Sequence, residues 1–564
     1  MMKQEYKLQN TYAALFLIHV ILAYIANVYA LGDPASIISI PQGKVQGTHQ
    51  KAYSGRIYTA FEGIPYAKPP VGDLRFEEPV PVDKWDSILV ASNNYMCMSF
   101  LPFPMIYGPK GTEDCLYVYV YVPRENVTGK ENLEVVVHIH GGAFMMGSPQ
   151  FMAGPSFIMD KEVVYVSFNY RLAILGFLST EDEVVPGNNG LKDQSLAMKW
   201  IKDNIKYFGG NPESITLTGL SAGAASVHYH YLSPRSKGLF HRGFSQSGTA
   251  LQPWALTENP LAKAKMVATT LNCTTESTKS MTQCLKKVPA KQLILAMKSL
   301  FVFMDFVPFT TFGPVVEKGG KNPFISEPPY KLLKEGKVYD VPWVVSNTRH
   351  EGLIPAGMIA TMQTLSDLDK RWNEIGSFVL DINDTVAATD QMDVITKVRK
   401  YYLKDEAITN DNIYSLVDLF SDRVYKLPCE KAIRAHVAAV KSPVYYYFFT
   451  YILEMQSPIF HGIKPGSAHS DDGRILFPII GTPPILKEND EKMMKHFTGF
   501  AEAYAKTNKP SFNNVEWKPV DPESRDINYL EIASPDDISM KKFKELGPNE
   551  FWDSLPIIEN EKLF

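Results

Sequence analysis

Residues 214–232 read SITLTGLSAGAASVHYHYL. A run of β-forming residues ends on Gly219-Leu220-Ser221-Ala222-Gly223, the only Gly-x-Ser-x-Gly in the chain, and a segment of helical character follows it. A strand that turns sharply into a helix presents the side chain at its tip and needs glycine on both flanks, where backbones come close. The start of the helix leaves the Ala222 amide facing the same point, a position that favours an anion. Ser221 is therefore the candidate nucleophile. An ordinary turn is the competing reading, and the strand before the motif and the helix after it count against that.

Upstream, EVVVHIH (134–140) runs straight into Gly141-Gly142-Ala143-Phe144. A glycine-rich loop after a strand turns its amides inward with no side chain in the way, which an acyl-transferring serine requires for the developing oxyanion. Gly141, Gly142 and Ala222 are the candidate donors. His138 and His140 share one face of that strand and offer a metal pair as a rival. No third ligand of suitable type lies near, so no metal is expected.

Further buried strands are expected in VVYVSFNY (163–170), VPWVVSNT (341–348) and PVYYYFFTY (443–451). LKDQSLAMKWIKDNIKYF (191–208) and EKMMKHFTGFAEAYAK (491–506) carry apolar stripes at helical spacing, and Gly209 and Gly210 stop the first. Strand and helix in alternation predict a mostly parallel, doubly wound α/β sheet flanked by helices. The proline-rich loops are too short to separate domains, so residues 31–564 are expected to form one domain.

In such a fold the base follows the nucleophile and the acid in chain order. Of the twelve histidines, those before Ser221 are on the wrong side, His228, His230, His241 and His350 crowd the elbow or precede the acid, and His436 and His496 lie in helix-period segments. His461 and His469 remain. His469 sits in the small-residue loop GSAHSDDG (466–473), where an imidazole could reach the serine, although spacing favours it only modestly. By spacing alone Asp471 and Asp472 are its nearest carboxylates.

The 564 residues carry 57 basic and 61 acidic side chains, a net charge of -4, and 45% are hydrophobic. With a mean hydropathy of -0.13, this excludes a disordered chain, a collagen-like fibre or a polytopic membrane protein, and nothing points to nucleic acid. Lys3 and Lys7, an apolar run over 12–29 and small residues at Val28 and Ala30 have the order of a secretory signal peptide cleaved after Ala30. An uncleaved anchor is the alternative, disfavoured by His19 and Asn27 within the run. The C-terminal NEKLF is neither a retrieval signal nor an anchor tail. Asn126, Asn272 and Asn383 open Asn-x-Thr acceptors for glycosylation. Cys97 and Cys115, and Cys273 and Cys284, are close couples that can each staple a local loop in an oxidising compartment, leaving Cys429 over.

The chain resembles the type B carboxylesterases, the cholinesterase-like branch of the α/β-hydrolases, over nearly all of its length after the leader. The resemblance is carried by FEGIPYAKPPVGDLRF (61–76), EDCLYVYVYVP (113–123), HGGAFMMGS (140–148), NYRLAILGFLS (169–179), GNNGLKDQSLAMKWI (187–201), FGGNPESITLTGLSAGAASV (208–227) and SQSGTAL (245–251). Within the family it is most similar in look to insect secreted carboxylesterases. The resemblance implies the α/β-hydrolase fold and a triad of Ser221, Glu351 in NTRHEGL and His469. It also implies Cys97–Cys115 and Cys273–Cys284 disulfides and no cofactor. The implied reaction is hydrolysis of small neutral esters through an acyl-enzyme. Trp254, Phe144, Phe309 and Phe312 are candidate walls of an apolar pocket, with core packing as the equal alternative. A cholinesterase is disfavoured because the loop 97–115 lacks the tryptophan of that branch. A juvenile hormone or odorant esterase specialised for one ester is an alternative, although the former branch typically shows Gln where this chain has Leu220. A non-catalytic adhesion protein is the reading from another class, disfavoured by the intact serine and histidine. Oligomeric state is not legible.

Overall fold

Runs of Val, Ile and Tyr with no polar alternation leave no side for solvent, and such segments become strands covered on both faces. The computed structural model describes residues 33–102, 107–455, 463–479 and 482–559; the leader and His461 lie outside the described residues. In chain order the strands are β1 (Pro34–Ile40), β2 (Gly43–Lys51), β3 (Ile57–Pro65), β4 (Ile88–Val90), β5 (Ser99–Leu101), β6 (Gly108–Lys110), β7 (Tyr117–Val122), β8 (Leu133–Ile139), β9 (Val163–Phe168), β10 (Gly210–Leu220), β11 (Arg242–Gln246), β12 (Trp343–Thr348), β13 (Val444–Phe449), β14 (Ile527–Ile532) and β15 (Ile538–Phe543). Every residue of β9 and β12 is buried.

A 13-stranded sheet runs β1-β2-β3-β7-β9-β8-β10-β11-β12-β13-β14-β15, with β4 beside β2. Pairing is parallel from β9 through β14. It is antiparallel from β1 to β9 along that order and between β14 and β15. Each strand expected from the sequence is present with slightly different ends. The segment 191–208 differs more: an α-helix spans Asn189–Asn204 and a 3₁₀ turn takes Ile205–Phe208. Gly209 closes it at φ 79°, the left-handed geometry that glycine supplies at a helix end.

Alternate residues of each parallel strand feed two cores. Val135, Val137 and Ile139 pack with Val227, Tyr229 and Tyr231 of the helix Ala222–Leu232. Val136, Tyr165, Phe244 and Tyr447 pack with Met493, Phe497 and Phe500 of the helix Glu488–Thr507. The two helices therefore cover opposite faces of one sheet. The chain segments that leave the carboxyl ends of β8, β10, β12 and β13 emerge at a common edge, where open parallel sheets bind their ligands.

Candidate active site

Ser221 joins β10 to the elbow helix at φ 59°, ψ -121°, a sparsely populated conformation that costs about 1–3 kcal/mol when nothing compensates. The surroundings hold it there. Its amide donates to Gln246 O at 2.8 Å, and its carbonyl accepts from Ala225 N at 2.9 Å. A Cβ on Gly219 would meet Gly223 O at 2.2 Å, and one on Gly223 would meet Ile139 O at 2.0 Å. Both glycines of the motif are thus sterically required.

The loop after β8 lies against this serine. A Cβ on Gly141 would sit 2.7 Å from Leu220 O and 3.1 Å from Ser221 Cβ. Gly142, Ala143 and Phe144 all take positive φ, at 113°, 54° and 59°. The carbonyls of this turn are occupied: Gly142 O accepts from Met145 N, Phe144 O from Ala173 N and Ala143 O from the Thr310 hydroxyl. Among the described residues the amides of Gly141, Gly142, Ala143 and Ala222 donate to no acceptor. Ala143 was not among the donors expected from sequence; its place in the unbroken small-residue run Gly-Gly-Ala is the signal that could have included it.

Glu351 follows β12 by three residues and is fully buried. Its Oε1 accepts from Thr348 N at 2.7 Å and Asn347 Nδ2 at 3.2 Å, and its Oε2 accepts from His469 Nδ1 at 2.6 Å. That bond fixes the proton on Nδ1 and leaves Nε2 as the basic nitrogen. The loop bearing His469 is pinned to the acid's loop. His350 N donates to Ser467 O at 2.9 Å, Ser467 N donates to His350 Nδ1 at 3.2 Å, and the Ser467 hydroxyl donates to Phe449 O at 2.9 Å. A Cβ on Gly473 would meet Leu220 Cδ1 at 2.9 Å, so the turn after His469 packs on the residue that precedes the serine.

Of the expected pocket residues, Phe144 and Trp254 lie 6.3 Å apart by ring centroid, Trp254 lies 6.3 Å from Tyr425, and Tyr425 lies 4.6 Å from His469. A line of rings thus reaches from the loop 141–144 to the imidazole. Phe309 is half-buried, against Phe306 and Phe420. Phe312 is wholly buried in the core.

The pattern that defines the carboxylesterase family matches residues 34–552. The chain belongs to the carboxylesterase family. It is 41% identical over 533 residues to venom carboxylesterase-6 of Apis mellifera, covering 93% of this chain and 95% of that one. Juvenile hormone esterase of Tribolium castaneum is 32% identical, covering 92% and 93%. Among solved structures, juvenile hormone esterase from Manduca sexta, with OTFP covalently attached, superposes with a TM-score of 0.81 at 26% identity, covering 92% of this chain and 98% of that one. This carboxylesterase is accordingly a carboxylic ester hydrolase on an α/β-hydrolase fold.

Several further polar side chains near the site make structural hydrogen bonds. His138 Nδ1 pairs with the Thr218 hydroxyl at 2.9 Å and His140 Nδ1 with Gly141 O at 2.8 Å. Burial lowers the two imidazoles to about 3 and about 4, so both stay neutral. Asp472 Oδ2 accepts from the Tyr447 hydroxyl at 2.7 Å and the Ser346 hydroxyl at 2.8 Å, and Gln246 Nε2 donates to Tyr447 at 3.2 Å. Since Gln246 also holds the Ser221 amide, this brace ties the elbow, β12, β13 and the histidine loop together. Both expected disulfides are formed, and Cys429 is free and buried. Asn126 and Asn272 are exposed, whereas Asn383 is half-buried. No described helix is long and apolar enough to cross a membrane.

Proposed function

We propose that this carboxylesterase is secreted after removal of residues 1–30 and hydrolyses neutral carboxylic esters of medium size through a Ser221–His469–Glu351 triad. The observation that carries the reading is the 2.6 Å bond from His469 Nδ1 to the buried Glu351, formed in a loop packed on the nucleophile elbow. Ser221 Oγ attacks the ester carbonyl while His469 Nε2 takes its proton. The oxyanion is met by unpaired amides from the set Gly141, Gly142, Ala143 and Ala222; loss of one good donor of this kind costs about a hundred- to thousandfold in turnover. Collapse expels the alcohol with a proton from His469, and water repeats the sequence on the acyl-enzyme. The steps need no metal or cofactor. The Phe144 and Trp254 rings suit an uncharged, apolar substrate.

The test is hydrolysis of p-nitrophenyl butyrate by the native protein and by Ser221→Ala, alongside juvenile hormone, volatile acetates and acetylthiocholine. Activity on the uncharged esters that disappears in the variant supports the reading. Undiminished activity in the variant removes Ser221 from the mechanism.

A further inference from the structure

Between the helices Ile413–Phe420 and Leu427–Ala439 the backbone opens into a π-helical turn, Ser421–Lys426. Such turns are rare and recur at functional sites. This one contacts both of the proposed triad's supporting arms. The Ser421 hydroxyl accepts from Gly352 N at 2.9 Å, beside Glu351. The fit is close enough that a Cβ on Gly352 would meet Val417 O at 2.2 Å. Tyr425, from the same turn, lays its ring 4.6 Å from the His469 imidazole at 41°.

The other side chains of the turn are tied away from the site. Asp422 accepts from the Tyr402 hydroxyl at 2.9 Å and pairs with Lys426 at 3.3 Å. Arg423 donates to Leu380 O and Asp381 O, both at 2.9 Å, and pairs with Glu559 at 2.5 Å. The turn is therefore a fixed platform with one ring directed at the base. Among the described residues the Tyr425 hydroxyl makes no hydrogen bond, so the ring is what the platform presents. In ester hydrolysis His469 becomes an imidazolium in each half-reaction. An electron-rich ring within about 6 Å attracts a cation, most strongly where water is excluded.

We infer that Tyr425 is a positioning residue for the base: its ring holds the imidazole in its hydrogen bond to Glu351 and stabilises the imidazolium that forms as Ser221 attacks. The inference rests on the triad reading above. It assigns the effect to the π-face and not to the phenol, and it makes the effect independent of the acyl group being transferred.

The experiment measures kcat and KM on p-nitrophenyl acetate, butyrate and hexanoate for the native protein, Tyr425→Phe and Tyr425→Leu. In Tyr425→Leu, kcat falls about five- to thirtyfold, the range a cation–π contact supplies, by the same factor on all three esters and with KM within about twofold. Tyr425→Phe stays within about twofold of the native protein. A thermal melt checks folding, and Tyr425→Met replaces the leucine variant if that one is not folded. The inference is overturned if kcat is unchanged without the ring, if the loss is graded with acyl length as for a pocket wall, or if Phe fails as badly as Leu. The triad reading fails separately, by inactivity of the native protein or full activity of Ser221→Ala.

Discussion

Glu351 and Asp472 are both wholly buried carboxylates near one imidazole, and the chain uses them in opposite ways. Glu351 is 118 positions from His469, yet it takes the Nδ1 proton. Asp472 is three positions away and turns instead to two hydroxyls from neighbouring strands. The difference comes from where each leaves the sheet. Glu351 follows the end of β12 directly, its geometry set by the Thr348 amide, and can be aimed at a fixed point. Asp472 is the second residue of the short helical turn Asp471–Arg474 just after His469, and it faces back into the sheet as part of the brace that carries the loop. Its neighbour Asp471 opens that turn and accepts from Ala468 N at 2.8 Å. Nearness in sequence gave the histidine a scaffold, while nearness at the ends of adjacent parallel strands gave it an acid.

The comparison breaks most readily at Glu351. Glu351→Gln keeps the shape but loses the charge that favours the imidazolium, and kcat on p-nitrophenyl butyrate is expected to fall by about 10⁴, as when the acid of a serine triad is neutralised. A fall of less than tenfold would move the role to Asp472.

Next in size is an effect on stability. Burial pushes the Asp471 carboxyl up to about 7. A carboxyl raised in the folded state contributes stability that is fully present below its unfolded value and lost as pH rises through about 7. Between pH 5 and 8 the native protein is expected to lose about 2–3 kcal/mol of unfolding free energy that Asp471→Asn does not lose. Urea unfolding at the two pH values reads the difference, and parallel losses in both proteins would contradict it.

The smallest effect belongs to Asp472→Asn. The amide oxygen still accepts from Tyr447 and Ser346, so turnover should stay within about tenfold and stability should drop by about 1 kcal/mol, the scale of one weakened buried hydrogen bond. A 10⁴-fold loss of kcat with an intact fold would mean that the brace takes part in the chemistry.

The central fold was legible because its expected strands are covered on both faces and read as short runs rich in Val, Ile, Tyr and Phe, as in VVYVSFNY and PVYYYFFTY. The antiparallel flank was not recognised as sheet. β2 reads GKVQGTHQK and β15, at the sheet's edge, reads ISMKKF, and the partly exposed residues of both blur the alternation. Ser221 was legible because its motif is a backbone constraint, seen in the contacts that forbid any Cβ at Gly219 and Gly223. Glu351 was not legible from spacing and entered only through the family resemblance, because its role depends on strand order. Tyr425 left no signal, since a π turn does not alter the apolar periodicity on either side of it.

The most direct test of the account traps the acyl-transfer intermediate's analogue. The native protein is incubated with an uncharged organophosphate ester, digested, and the modified peptide is located by mass. The account predicts one phosphoryl adduct on the peptide containing Ser221, absent in Ser221→Ala and formed at least about a thousandfold more slowly in His469→Ala. Labelling at another residue, or an unchanged labelling rate in His469→Ala, would contradict it.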